Sequence, residues 1–120
     1  MGRQVFGCIV IATALVACGE PPATEPVARG RQVYQALDCG RCHQIAGAGA
    51  RFGPDLTQIG TVAESRRPGG AAEYLRASLL DPGSYVVPGF PDTMPRGLAR
   101  HLSPEDLEAL LAYLAAQRPR

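Results

Sequence analysis

The sequence predicts a small all-α domain, and three stretches carry that prediction. Toward the C-terminus, Ser103-Pro104-Glu105-Asp106 reads as a helix start and runs into leucines at 107, 110, 111 and 114. Earlier, Ala28–Leu37 holds good helix formers and no proline, with Val33, Tyr34 and Leu37 as an apolar stripe. Between them, Ala71–Leu80 places Ala72, Leu75 and Leu79 on one face, and Asp81-Pro82-Gly83 stops it. Apolar residues recurring every three to four positions are the mark of a half-buried helix. At 120 residues the chain has room for one such domain.

The last helix has the clearest beginning. A serine cap, a proline in the first turn and acids through Glu108 suit the positive end of a helix dipole. The first helix leads through Asp38 into Cys39-Gly40-Arg41-Cys42-His43. This CxxCH pentapeptide is the attachment signature of c-type haem. Cysteines three apart share one side of a helical turn, so each thiol can add to one of the two haem vinyl groups. The next residue, His43, is then carried to the iron as its proximal ligand. A redox CxxC has no need of that histidine, and no strand-rich pattern surrounds this one. A closed zinc site wants four ligands, and no second Cys/His pair exists.

The formal charge of +1 gives no reason to expect nucleic acid or a strongly acidic partner. All twelve basic residues are arginine, which excludes a lysine ring as a docking surface. Residues 1–17 read as an export signal: Arg3, then a nearly unbroken apolar run from Val5 to Val16, too short for a stable transmembrane helix. The ending Leu15-Val16-Ala17-Cys18 resembles the bacterial lipobox. That resemblance implies cleavage before Cys18, lipid on its sulfur and attachment to the membrane by several acyl chains. An ordinary signal cut after Ala17, or an uncleaved anchor, is the other reading. Cys8 would leave with the signal. Loss of Arg3 from the twelve basic residues leaves eleven against eleven acids, a formally neutral polypeptide. Gly19–Val27, with prolines at 21, 22 and 26, reads as a tether of roughly 25–30 Å at about 3 Å per residue. The domain is then expected over 28–120.

Gln44–Gly60 reads as loop, broken by Gly47, Gly49, Gly53 and Pro54. Thr61–Gly70 is polar. One of its arginines, Arg66 or Arg67, could grip a haem propionate, although a solvated surface charge is the ordinary role. Leu79, Leu80 and Tyr85 are candidates for the wall of the haem pocket. Tyr85–Pro91 reads as an extended, proline-punctuated loop leading to Met94-Pro95.

Taken together, these motifs resemble class I cytochrome c, from about Ala28 to Gln117. The Gly30-x-x-x-Tyr34 helix entering CxxCH, the Gly53-Pro54-Asp55-Leu56 loop, Met94-Pro95 and the closing helix with Tyr113 carry the likeness. The resemblance implies N- and C-terminal helices crossing around one covalently bound haem, with one or two short helices between them. It implies that Gly30 allows the close crossing and that Tyr113 packs on the first helix. It also implies that the Pro54 carbonyl accepts a hydrogen bond from Nδ1 of His43, that Leu56 packs on the haem, and that Met94 is the distal iron ligand. A neutral sulfur opposite histidine favours Fe(II) and raises the reduction potential. Met94 is the only methionine beyond Met1. His101 is the alternative ligand, and a solvent-facing histidine is its ordinary role. In a domain this small the haem is expected to form part of the core.

The cofactor-binding residues expected are therefore Cys39, Cys42, His43, Pro54 and Met94, with His43 and Met94 on the iron and Cys18 lipidated. No catalytic residue and no small-molecule substrate are expected. The first functional reading is a membrane-tethered one-electron carrier, exported, facing the periplasm or cell exterior and exchanging electrons with redox proteins at the membrane. The alternative is a fixed haem subunit of a respiratory or dehydrogenase complex. For this, Tyr85–Met94 resembles cytochrome c domains associated with terminal oxidases and nitric oxide reductases. A ligand-exchangeable iron or a haem-free thiol protein are the remaining readings.

Overall fold

A computed structural model of the chain describes residues 24–119. The export signal, Cys18 and the first part of the tether lie outside them. Four α-helices form: α1 Glu25–Ala36, α2 Ile59–Arg66, α3 Gly70–Leu80 and α4 Pro104–Ala115. Three 3-10 turns punctuate the loops at Cys39–Arg41, Pro82–Ser84 and Leu98–His101. Among the described residues no strand forms beyond an isolated pairing of Ile45 with Ala48.

Helix α1 begins at Glu25, three residues before the predicted Ala28, so the end of the predicted tether is helical. Pro26 lies in the first turn, where its missing N–H costs nothing, and Glu25 faces the positive end of the dipole. At the far end Asp38 takes a left-handed conformation, φ 55°, and turns the chain out of the helix. Aspartate tolerates this better than most side chains. Helix α4 starts as predicted: the Ser103 hydroxyl accepts from Asp106 N at 3.1 Å. It ends at Ala115, slightly before the expected Gln117.

α1 lies across α4, and the crossing is closest at Gly30. A Cβ placed there would overlap the Ala109 carbonyl and lie 2.6 Å from the Cβ of Tyr113. Only glycine permits that approach, which outweighs its cost of about 1 kcal/mol in helix propensity. One turn on, Tyr34 meets Tyr113 with ring centroids 5.5 Å apart and planes tilted by 59°. Outside the crossing, Arg29 reaches Asp106 at 2.8 Å across the same two helices.

The predicted leucine stripe of α4 is the centre of the core. Leu110 is fully buried, Leu111 and Leu114 are buried and Leu107 packs at the edge. Burial of a leucine such as Leu110 contributes about 1.5–3 kcal/mol. On α3 the face is shifted from the predicted one. Leu75 and Leu79 are buried as expected, but Ala72 is exposed and Ala71 takes its place against the core. Tyr74, outside the predicted stripe, is 5% exposed. Leu80 points to solvent at 51% exposure because it stands one residue, about 100° around the helix, from Leu79.

α2 departs from the sequence pattern. It occupies the end of the predicted loop and the first half of the polar stretch. Ile59, Gly60, Thr61 and Val62 are poor helix formers, so local preference argues against it. Tertiary packing overrides that preference: Ile59 and Ala63, four apart, are 2% and 0% exposed. Gly60 lies against the end of α4, where its N–H donates to Gln117 O at 2.9 Å and a Cβ would overlap the Ala115 carbonyl. The helix stops at Arg67, held extended by the following Pro68.

Gly30→Ala is expected to force α1 and α4 apart. The haem-loaded variant should lose about 1–3 kcal/mol of stability, the usual cost of overpacking a core. Guanidinium unfolding followed by far-ultraviolet circular dichroism measures it.

Candidate functional site: a haem cavity

Cys39–Arg41 forms a 3-10 turn directly beyond α1, with Cys42 N and His43 N both bonded to the Cys39 carbonyl at 3.2 and 3.0 Å. The motif is therefore wound tighter than the α-turn its spacing suggests. In a 3-10 turn side chains at i and i+3 eclipse one another, which brings Cys39 and Cys42 onto one side. Both are free thiols, and burial pushes the Cys39 thiol up to about 11.

His43 is held by the loop that follows. Its Nδ1–H donates to the Pro54 carbonyl at 2.7 Å. A carbonyl only accepts, so Nδ1 carries a proton, and in the neutral ring that leaves the lone pair on Nε2. Proline provides this oxygen without an N–H of its own. Gly53 brings the loop against the ring: a Cβ there would stand 2.7 Å from His43 Cε1 and 2.9 Å from Nδ1. Three backbone bonds pin the loop around the histidine, Ala50 N to Gly40 O at 2.9 Å, Gly53 N to Cys42 O at 2.8 Å and Leu56 N to Gln44 O at 2.8 Å. Further along, the Thr57 side chain and N–H hold the Asp55 carboxyl below the usual range.

These residues open onto one cavity of about 360 Å³. His43, Cys39 and Cys42 line it from the α1 side, Met94 from the loop after α3, and Leu75, Leu79, Leu110 and Leu114 close its apolar wall. Leu56 and Tyr85 also line it, as the sequence suggests, but Leu80 does not. His101 lies exposed in its 3-10 turn and does not line the cavity. Met94 is half-buried and packs on the core. Among the described residues no group of three or more His, Cys, Asp or Glu side chains stands ready to hold a metal ion.

Three contributors carry no local signal in the sequence. Phe52 stands 75% exposed at the cavity rim, Ile59 comes from the unexpected α2, and Tyr74 is buried in the wall. Arg66 lines the cavity and donates to the Tyr74 hydroxyl at 2.9 Å, while Arg67 does not line it. Tyr34 puts a buried hydroxyl into the wall with no protein partner, and burial pushes it up to about 12.

The donor set fits haem. Two thiols on one side of a turn, an imidazole with Nδ1 already engaged, a thioether and leucine walls meet at a single apolar cavity. The cytochrome c family model matches residues 27–117. The chain belongs to the cytochrome c family. Its fold is the all-α cytochrome c fold, and the cofactor of the family is covalent haem c with its iron. The cytochrome c domain is an electron-transfer module. Two curated relatives contain similar stretches. Cytochrome c oxidase subunit 2 of Alkalihalophilus pseudofirmus is 35% identical over 103 residues, 79% of this chain and 27% of that protein. A nicotinate dehydrogenase subunit of Pseudomonas putida is 30% identical over 141 aligned positions, 96% of this chain and 12% of that protein. The chain spans well under a third of either relative.

Gly53→Ala should displace the imidazole from Pro54 and cost the haem-loaded protein about 1–3 kcal/mol. Gly40→Ala in the same motif should be neutral to stabilising, because nothing lies within 4 Å of a Cβ there. Thermal unfolding followed at the Soret band compares the two; equal losses would contradict the geometry.

Proposed function

We propose that this domain is a one-electron carrier whose haem is held through Cys39 and Cys42, with His43 and Met94 as the two iron ligands. When bound, the haem supplies a reversible Fe(III)/Fe(II) couple. The observation that carries the reading is the convergence of His43 and Met94 on one apolar cavity, with Nδ1 of His43 committed to Pro54. That bond fixes the ring's tautomer and orientation. The Met94 thioether is uncharged and favours the reduced iron. With His43 and Met94 both on the iron, no position would remain for a substrate, which would separate a carrier from an oxygen- or peroxide-reacting enzyme. The Leu75, Leu79, Leu110 and Leu114 wall would keep water from a bound haem and reduce the rearrangement that a change of charge requires.

A second reading is a fixed haem subunit in a larger complex. Both relatives are subunits by name, one of an oxidase and one of a dehydrogenase, which favours it. In either case the partners are redox proteins, and copurification with a larger complex in mild detergent distinguishes the fixed subunit from the mobile carrier.

The absorption spectrum tests the ligands. The oxidised wild type should show the weak far-red sulfur–iron band, which Met94→Ala should abolish with a fall in reduction potential. His101→Ala should leave both unchanged. A wild-type spectrum of covalent haem without that band would overturn Met94 as ligand.

Tethering is the other part of the proposal. Cys18, at the end of the lipobox-like Leu15–Cys18, becomes the lipidated first residue, with the domain outside the inner membrane. Mass spectrometry of the mature N-terminal peptide should find diacylglycerol on Cys18; an unmodified terminus after Ala17 would overturn the anchor.

A further inference from the structure

The loop that brings Met94 to the cavity has little backbone bonding of its own. Between Tyr85 and Gly97 its backbone hydrogen bonds are Phe90 N to Val87 O at 3.1 Å and Thr93 N to Pro91 O at 2.9 Å. Pro88, Pro91 and Pro95 have no N–H to contribute. Around the methionine one side chain fills that gap. Arg96 Nη2 donates to Asp92 Oδ2 at 2.8 Å, and Nη1 donates to the carbonyl of Met94 itself at 3.2 Å. Asp92 and Arg96 stand two residues either side of Met94, so their ion pair closes a ring with the methionine at its middle.

The ring is seated on the body of the domain. The Arg96 guanidinium lies over Gly83, in the 3-10 turn that ends α3. A Cβ at position 83 would overlap Nη2 and stand 3.2 Å from Cζ. Gly83 does not have a positive φ, so its backbone conformation is open to any residue. What excludes a side chain is the guanidinium. The neighbouring Pro82 is buried and lines the same cavity as Met94. Arg96 therefore ties the methionine loop to a fixed part of the cavity wall.

We propose that Arg96 is a positioning residue for Met94, a clasp closed by Asp92 and seated on Gly83. The inference rests on the reading of Met94 as an iron ligand. Global stability depends little on the clasp, since exposed ion pairs contribute little. Its effect is on how often the thioether leaves the iron. Lysine is a poor replacement, because a point charge cannot serve Asp92 and the Met94 carbonyl with one planar fork.

Competition by added imidazole for the iron of the oxidised, haem-loaded protein measures this directly. R96Q and D92N should each bind imidazole about three- to tenfold more tightly than wild type, the scale expected for losing one or two charge-assisted hydrogen bonds. G83A should do the same by pushing the guanidinium away, and G83A/R96Q should exceed neither single variant, because both remove one contact. R96K should also bind imidazole more tightly than wild type, because the ammonium does not restore the clasp. R118Q, which breaks the equally exposed pair with Glu64 at 2.8 Å, should bind imidazole as wild type does. Imidazole affinity in R96Q equal to that in R118Q, with the far-red band intact in the wild type, would overturn the clasp and leave Met94 ligation standing. Absence of the band from the wild type would remove both.

Discussion

The absence of a side chain at Gly30 is the constraint on which the rest of the structure depends. It lets the backbone of α1 settle against Ala109 and Tyr113 of α4, closer than any other residue would allow. Everything that prepares the cavity is measured from that contact. Tyr34, four residues on, is set against Tyr113 and forms one wall. Leu37 and Asp38 end the helix, and Cys39 follows at once. A shift in the crossing would therefore move the haem-attachment motif through a short, stiff stretch of chain with nothing to absorb it. Gly60 repeats the device at the C-terminal end of α4, where the start of α2 lies against the Ala115 carbonyl. α4 is thus gripped by glycine contacts from mid-helix to its last turn, while Leu110 and Leu114 face the cavity.

The two candidate iron ligands are held by different means. His43 is fixed through its own ring, by one 2.7 Å hydrogen bond to Pro54 and by contact with Gly53. The loop that supplies both partners is itself bonded back to the CxxCH backbone. Methionine offers no such handle, because a thioether makes at most weak hydrogen bonds. Its placement has to come from the main chain around it. Three prolines stiffen that loop without cross-linking it, and the Arg96 guanidinium ties the Met94 carbonyl to the turn at Gly83. The imidazole is directed by its own second nitrogen; the sulfur is directed by its neighbours.

The legible part of this protein is the part encoded in short, local patterns. CxxCH, Gly-Pro-x-Leu and the capped leucine helix each state their chemistry within a few residues. The structure accordingly places His43 against Pro54, Leu56 and Met94 on the cavity, and Gly30 under α4. What local patterns miss depends on residues distant in sequence. α2 is built from poor helix formers and exists because Ile59 and Ala63 are buried and Gly60 meets α4. On α3 the choice of Ala72 over Ala71 misses by one position, and Leu80 does not share the inward direction of its neighbour Leu79. An apolar pair of adjacent residues does not reveal which member faces inward until the helix is docked. Tyr74 and Arg66 pair across the turn between α2 and α3, and no local motif announces them. Gly83 reads in the sequence only as part of a helix stop, because the group it makes room for is an arginine thirteen positions away.

The residues that make the redox centre and those that choose its partners are separable in this chain. Both sulfurs of the motif, both candidate ligands, the Pro54 carbonyl and the leucine wall lie between Tyr34 and Leu114, inside the stretch matched by the family model. A stretch similar to it makes up 27% of an oxidase subunit and 12% of a dehydrogenase subunit. A cavity complete within one small domain can be carried by either kind of protein without change to its chemistry. Phe52 and Tyr85 stand exposed at the rim of that cavity, 75% and 37%. The charges near that rim are arginines and carboxylates, with no lysine anywhere in the chain. Arginine keeps its charge at every physiological pH and pairs with carboxylates through a planar fork. Docking through such a surface would depend on salt and on shape, and very little on pH. That suits the proposed carrier, whose driving force would be set at the iron by the two proposed ligands, and not by protonation at the interface.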